Sequence, residues 1–476
     1  MKLMLATKAN IDFFRPPHDS DFLTDNQRRG KMLHPYASIP EIAGNDRTIG
    51  VIRVPVEQDI LFTDRVRAVV DTREFQRLRQ ITQLALASRV YPGAIHSRFE
   101  HALGVYHNAV CYLRQLGLDP RFAATVNSHD AEVLIVASLL HDVGHWPFCH
   151  PIEDLALPGV PEHEDFARQF LGFDSELASV LRQQWNIQPE EIIQVLVGKA
   201  TAPALSLRQS ILSGPIDIDK MDYLNRDSQH CGVPYGRNFD RNRLISSLIV
   251  NEAGDGLALS TKGKTAAEMM VFARYVMFSE VYWHHAVRAA TTMFTRAFFE
   301  LYPSLNLNQL FQQNEPDMIA TLRQAAAGTP VENLCEGLFG PKRLIHKRLC
   351  EYSLNHRPDL YRTLRQMAYP DLVNCSNRLA DQFRSQFGWQ FSDSEVLIDA
   401  PPLHREVEFK VDIYDPAIQT YSPLNEISPI VASMSKTGFD DCVKRVRVCV
   451  SEKLKAKFDS ASQVDDMLAD LVAQYT

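Results

Sequence analysis

The chemistry of this chain concentrates in Leu139-Leu-His-Asp-Val-Gly-His-Trp-Pro-Phe-Cys-His150. His141 and Asp142 follow the largely apolar run Val133 to Leu140. His145 stands four residues after His141, the spacing that puts two side chains on one helix face. Pro147 predicts that the helix stops near there. An imidazole, a carboxylate and two further imidazoles at a buried helix end serve apolar packing badly. A lone histidine in such a place is ordinarily core or surface. Here, however, eight of the 16 histidines fall between His96 and His163, and such crowding points to metal or catalytic chemistry. Neutral imidazole with carboxylate suits Zn, Fe, Mn or Ni, and favours harder ions than a thiolate set would.

Two further helices are needed to position partners for this cluster. Arg98 to Leu116 is predicted helical, with Ala102, Val105 or Tyr106, Ala109 and Leu113 as its buried stripe. His101 lies beside that stripe, and Arg98 sits one turn earlier, so both can face one pocket. A second acidic cluster holds Asp217, Asp219, Asp222 and Asp227. Asp219, Asp222 and Arg226 share one helix side, while Ile218, Met221 and Leu224 tie the same helix to the core. An isolated Asp-x-x-Asp would ordinarily be a solvated face, and Arg73, Arg77 and Arg79 read the same way.

Four ordered stretches carry a resemblance. They are Asp71-Thr-Arg-Glu-Phe-Gln-Arg-Leu-Arg79, Tyr91-Pro-Gly-Ala-Ile-His-Ser-Arg-Phe-Glu-His-Ala-Leu-Gly104, the segment His141 to His150, and Ile216-Asp-Ile-Asp-Lys-Met-Asp-Tyr223. Together they resemble the HD-domain metal-dependent phosphohydrolases, most nearly the deoxynucleoside triphosphate triphosphohydrolases of the SAM-and-HD-domain type. The likeness runs from Val51 to Arg288 and weakens beyond. Residues 1–50 are too short for a SAM domain.

The resemblance implies one divalent metal ion (Mn, Fe, Zn, Ni or Mg) held by His101, His141, Asp142 and Asp219. It implies a catalytic group of His145, His163, Glu153 and His150, with His145 as general acid toward a leaving 5′ oxygen. Glu153 orients a histidine, where the family usually has Asp. Gln83, Leu84 and Asp227 match sugar contacts. Arg98, Lys220, Tyr223 and Arg274 match phosphate contacts, and Tyr282 an aromatic beside the base. Trp283 stands where the family often has a polar residue. Asp71, Gln76 and Arg79 match the pocket for the base of an activating nucleotide, GTP or dGTP, but Arg53 and Asp59 depart from it. The implied reaction is attack at the α-phosphorus, giving a deoxynucleoside and tripolyphosphate. Four phosphate donors suit a polyphosphate better than a single phosphate. Two alternatives stay open: an HD phosphohydrolase acting on a monophosphate or signalling nucleotide, and a nucleotide- or nucleic-acid-binding regulator with a vestigial site.

Bulk properties narrow the field. A net charge of −8 argues against broad nonspecific nucleic-acid binding. No run approaches the roughly 20 apolar residues of a membrane span, and the N-terminus lacks a signal-peptide apolar region. The eight cysteines are scattered without a CxxC pair, which points to a reduced, cytoplasmic chain. There is no P-loop, no convincing Gly-x-Gly-x-x-Gly and no nucleophile elbow. A homo-oligomer, dimer or tetramer, is the expected assembly.

The expected fold is mainly α: a helical HD-domain core with a smaller α+β C-terminal lobe. The expected divisions are an N-terminal arm over 1–50, the core over 51–301 and the C-terminal lobe over 302–476. Local patterns predict an edge strand at 51–56 and helices over 64–87 and 98–116. The central helix is capped by Ser128 or Asp130, a loop covers 151–161, and a helix opens at His163-Glu164. A long helix is predicted over 266–301, a mostly helical stretch over 303–400, strands over 407–413 and 443–450, and a last helix over 464–475.

Overall fold

The computed structural model describes residues 34–44, 50–401, 410–436, 443–458 and 462–474. The molecule is mainly helical with small sheets. Of the predicted arm, only residues 34–44 and Gly50 are described. They pack on the body: Tyr36 is buried and donates to the Val126 carbonyl at 2.8 Å, and the buried Glu41 accepts from Arg65 and Thr63.

The hairpin β1 (Gly50–Val54) and β2 (Gln58–Phe62) precedes helix α1 (Asp64–Val70), capped by Thr63. The single helix predicted over 64–87 does not form. Thr72 donates to the Val69 carbonyl and accepts from Phe75 N, starting a one-turn helix at Arg73–Gln76. Two 3-10 turns follow, Arg77–Gln80 and Ala85–Arg89. A threonine hydroxyl that satisfies nearby backbone groups offers the chain an exit from the helical ladder. The apolar residues Val66, Val69, Val70, Phe75, Leu78 and Ile81, which recur near helical spacing, are buried all the same.

Helix α2 (Arg98–Leu116) is capped by Ser97. Helix α3 (Ser128–Leu140) is capped by Asn127, not by Ser128 or Asp130, and Asp130 reciprocates at the cap backbone. From Val133 to Leu140 every side chain of α3 is buried, so it is the central helix. The predicted loop at 151–161 begins with the end of a short helix, α4 (Cys149–Glu153), entered through Phe148 at φ +58°. Helix α5 (His163–Phe170) opens where expected. Helix α6 (Ile218–Cys231) starts at the Asp217 cap and ends at Gly232, whose φ of +70° is the left-handed cap that glycine allows.

The long helix predicted over 266–301 is two helices. Helix α7 (Lys264–Met277) runs into a π turn at Phe278–Tyr282, and α8 (His285–Leu301) restarts after His284, whose ring accepts from Ala286 N. The break lets Trp283 turn inward. It is 6% exposed, its ring lies under Arg288 and Lys444, and its carbonyl accepts from Arg447. Helices α9 (Glu315–Ala326) and α10 (Tyr369–Phe387) follow.

The stretch 303–400 also contains two short strands, β5 (Lys347–Tyr352) and β6 (Val396–Asp399), which flank β9 (Val446–Val450) in one antiparallel sheet. All five residues of β9 are buried. A second sheet has the order β3 (Leu248–Val250), β4 (Leu257–Ser260), β7 (Asp412–Asp415), β8 (Thr420–Pro423). Of the strand predicted over 407–413, residues 407–409 lie outside the described residues, and the final two begin β7. The last helix is Ser462–Val472. One large apolar core joins α1 to α9, and a second, around β5, β9, β6 and α10, lies within residues 349–472. Among the described residues, no helix is long and apolar enough to cross a membrane.

Candidate metal centre and active site

Helices α2, α3 and α6 bring His101, His141 and Asp142 within 4.8 Å of one another and set Asp219 beside the two imidazoles. His101 Nε2 lies 3.2 Å from His141 Nε2 and 3.0 Å from Asp219 Oδ1. His141 Nε2 lies 3.5 Å from Asp142 Oδ1 and 4.0 Å from Asp219 Oδ1. The other ring nitrogens fix the tautomers. His141 Nδ1 faces the Ser138 carbonyl at 2.9 Å, and His101 Nδ1 faces Asp222 Oδ2 at 2.7 Å. Both partners only accept, so each Nδ1 carries a proton and Nε2 is the nitrogen left to bind an ion. Two ring nitrogens and two carboxylates crowd together here, an arrangement that a cation between them satisfies. Metal–ligand bonds of about 2.1 Å place neighbouring donors roughly 3.0–3.4 Å apart, close to the spacings seen. The donor set therefore fits a divalent metal. Burial disfavours charge on His101, but Asp219 and Asp222 outweigh it and push its imidazole up to about 10. The pocket thus demands positive charge, which an ion supplies in place of a proton.

A second group sits beside the first. The rings of His145 and His163 are 3.8 Å apart, and His150 lies 5.3 Å from each. Glu153 orients two of them: its Oε1 accepts from His163 Nδ1 at 2.8 Å, and its Oε2 is 3.3 Å from His150 Nδ1. Gly144 makes the approach of this segment to α5 possible, since a Cβ there would meet the His163 carbonyl at 2.1 Å. Burial, reinforced by Arg98, holds the His145 imidazole well below its usual value. It is therefore neutral before an anion arrives. Burial opposes charge on His163 too, but Cys149, Glu153 and Glu164 outweigh it and raise that imidazole.

The residues expected to bind substrate are largely engaged with one another. Arg98 Nη1 donates to Asp142 Oδ2 at 2.8 Å, and its buried Nε has no partner. Lys220 is paired with Asp217. Arg274 Nε donates to the Tyr223 hydroxyl at 3.2 Å. Tyr282 donates to Asp227 Oδ2 at 2.7 Å, while Asp227 Oδ1 faces His96 Nε2 at 2.8 Å. The Tyr223 and Tyr282 rings stand 6.4 Å apart. Gln83 is tied to the same wall, with its N–H on the His96 carbonyl, and its buried Oε1 has no partner. Leu84, next to it, is half-buried. The residues matched to an activator lie apart from this set. Asp71 and Arg79 are exposed, Arg79 covers the Phe99 ring, and Gln76 donates to the Val70 carbonyl. Arg53 and Asp59 form an exposed pair.

Two family models match the chain, an HD domain over residues 98–227 and an HD associated region over residues 239–468. An uncharacterized protein of Methanocaldococcus jannaschii is 32% identical over 396 residues, covering 81% of this chain and 76% of that protein. The chain belongs to the HD-domain family. Deoxynucleoside triphosphate triphosphohydrolase SAMHD1 of Homo sapiens is 30% identical over 282 residues, 53% of this chain and 45% of that protein. The match therefore spans less than half of that relative. A crystal structure of a hypothetical protein from Aquifex aeolicus shares the fold with a TM-score of 0.65 at 26% identity, covering 87% of this chain and 99% of that one. A phosphohydrolase structure from Bacteroides thetaiotaomicron has a TM-score of 0.62 at 24% identity, over 84% of this chain and 100% of that one, and shows the fold.

This HD-domain protein supports its site with residues that the sequence reading left unassigned. Asp222 orients His101, and the fully buried Arg226 grips Asp222 through Nε and Nη2 at 2.8 and 2.7 Å. The Asp-x-x-x-Arg spacing on α6 was the available signal. Arg77 is not a solvated residue. It donates to the carbonyls of His145, Phe311 and Gln312 at 2.8, 2.7 and 3.1 Å, and burial lowers its guanidinium to about 9. Glu315 accepts from Thr82 N and Oγ1 at 2.9 and 2.7 Å, anchoring the turn before Gln83.

Proposed function

We propose that this HD-domain protein is a metal-dependent phosphohydrolase acting on deoxynucleoside triphosphates and releasing a deoxynucleoside and tripolyphosphate. The observation that carries this reading is the approach of His101 Nε2 and His141 Nε2 to 3.2 Å with two carboxylates beside them. Next to them lies a wall of donors: Arg98, Lys220, Tyr223 and Arg274. A divalent ion held by His101, His141, Asp142 and Asp219 polarises a phosphoryl oxygen and makes water more acidic. The chain's own groups do the rest. Arg98 Nε, buried without a partner, is a ready phosphate donor. The unpaired Gln83 Oε1 suits a sugar hydroxyl, and Asp227, steadied by His96 and Tyr282, suits another. A polyphosphate arriving beside His145 reverses the environment that keeps it neutral, and the protonated imidazole then serves as general acid to the leaving 5′ oxygen. Glu153 holds His163 and His150 behind it.

Activation by GTP or dGTP at Asp71, Gln76 and Arg79 and assembly into a dimer or tetramer belong to the same reading. The similarity to the human triphosphohydrolase supports them. The test is incubation of purified protein with each deoxynucleoside triphosphate and Mn or Mg, with and without GTP. Tripolyphosphate is the expected product, and Asp219→Ala abolishes it. Release of pyrophosphate or monophosphate alone overturns the reaction. One observation favours a second reading: Arg98 and Lys220 are each already paired with a carboxylate, which leaves less positive charge for a triphosphate. A nucleotide with fewer phosphates is then the substrate, and profiling monophosphates and signalling nucleotides decides.

A further inference from the structure

Cys149 is the one thiol among the described cysteines that stands within a group able to hold a metal ion. His145, Cys149, His150 and His163 each place one donor atom within 4.8 Å of the others. Cys149 and His145 are buried, and the His150 side chain is 62% exposed, which leaves the cluster an entry side. A lone thiol would signify nothing. Here the imidazoles carry an independent mark of ligand duty. Glu153 takes the Nδ1 of His163 with one oxygen and approaches the Nδ1 of His150 with the other. That fixes Nδ1 of each ring on Glu153 and leaves Nε2 as the nitrogen that can take an ion, the carboxylate-to-imidazole support that metal-bound histidines carry. Asp222 gives His101 the same support at the first centre. His163 Nε2 also faces Glu164 Oε1 at 3.2 Å, so in the metal-free chain that nitrogen carries a proton that an incoming ion displaces.

We propose that Cys149, His145, His150 and His163 form a second metal site, selective for a thiophilic divalent ion of the zinc type, and that its occupancy inhibits the adjacent phosphohydrolase centre. Thiolate and imidazole select zinc-like ions, while the carboxylate-bearing first centre accepts harder ones. The two sites thus differ in what they bind. On binding, the Cys149 S–H and His163 Nε2–H bonds break, both protons go to solvent, and a sulfur–metal and a nitrogen–metal bond form in their place. His145 and His163 then have their free nitrogens committed to the ion and can no longer handle the leaving group's proton. The inhibitory half of the proposal rests on the function proposed above, but the site itself does not.

The experiment uses the full chain stripped by chelator and titrated with Co²⁺, read by absorbance and bound-metal analysis. Wild type is expected to bind two equivalents, one of them accompanied by a thiolate-to-cobalt charge-transfer band in the near ultraviolet. Cys149→Ser removes the band and leaves one equivalent; if serine does not fold, Cys149→Ala reads the same band. Asp219→Ala keeps the band. Glu153→Gln weakens the thiolate-linked equivalent roughly 10–100-fold. With Mn in the first centre, added Zn²⁺ lowers turnover of wild type and leaves Cys149→Ser at least about 10-fold less sensitive, the factor by which loss of a ligand or its support weakens a site. A wild type that never shows the band, or a band that survives in Cys149→Ser, overturns the site. Equal zinc sensitivity of the two proteins overturns the inhibition. A chain inactive on every nucleotide defeats the proposed function, while the cobalt band still decides the site.

Discussion

Asp222 Oδ2 stands 2.7 Å from His101 Nδ1, and both carboxylate oxygens also accept from Arg226. A carboxylate so held cannot rotate away, so Nε2 of His101 keeps one direction. Asp222→Asn is expected to weaken binding of the first divalent ion about 10–100-fold. Isothermal titration with Mn²⁺ measures it, and wild-type affinity would remove Asp222 from the support of the centre.

Arg226→Leu leaves the Asp222 carboxylate buried without its counter-ion. Removing one member of such a pair costs about 3–5 kcal/mol. The urea midpoint of the metal-free protein is expected to fall accordingly. An unchanged midpoint would mean that the pair relaxes toward water on substitution.

Arg77→Ala frees the His145 carbonyl and the Phe311 and Gln312 carbonyls together. Misplacement of a reacting group by about 1 Å costs on the order of 10²-fold in rate. Turnover on the best nucleotide should drop by that order while metal stoichiometry stays at the wild-type value. Loss of metal along with activity would show that Arg77 holds more than the His145 segment.

Gly144→Ala forces a Cβ to within 2.1 Å of the His163 carbonyl and 2.6 Å of Ala167 N. Both are backbone atoms, so the HD segment and α5 must separate. Overpacking of this kind costs roughly 1–3 kcal/mol. A lower melting temperature with reduced activity is expected, and a fully active, equally stable variant would contradict the close approach.

His346 supplies a pH effect remote from the metal centre. It is buried, with Nε2 on the Ser394 carbonyl, and burial lowers its imidazole below the ordinary value of 6.5. The unfolded chain takes up a proton there first. Stability from this group is therefore full above about 6.5 and is lost as pH falls toward the lower folded value. Urea midpoints from pH 8 down to pH 5 should decline less in His346→Gln than in wild type.

The parts of the site that the sequence discloses are those where a residue contradicts its local pattern. His141 and Asp142 end an apolar run, so their oddness shows without any partner. Asp219 shows only as one of several acids on α6, because what singles it out is that α6 packs on α2, a contact across 118 residues of sequence between His101 and Asp219. Cys149 is silent for the same reason: its partner His163 arrives through the turn after α4, not through a spacing motif. Helix breaks were hidden as well. Thr72 and Trp283 sit in stretches whose apolar spacing continues as if helical, and only the threonine cap and the pull of the C-terminal lobe on the tryptophan end the ladder. Short strands such as β6, buried along its full length, look like pieces of a buried helix when read alone.

Trp283 ties the rim of the proposed substrate site to the far sheet. Its carbonyl is held by Arg447 of β9, and the preceding residue is Tyr282, whose hydroxyl steadies Asp227. The aromatic edge of the pocket is thus one peptide unit from a clamp built by the last quarter of the chain. A fragment ending at α8 would keep every residue proposed to hold the first ion and still lose the brace that aims its tyrosine.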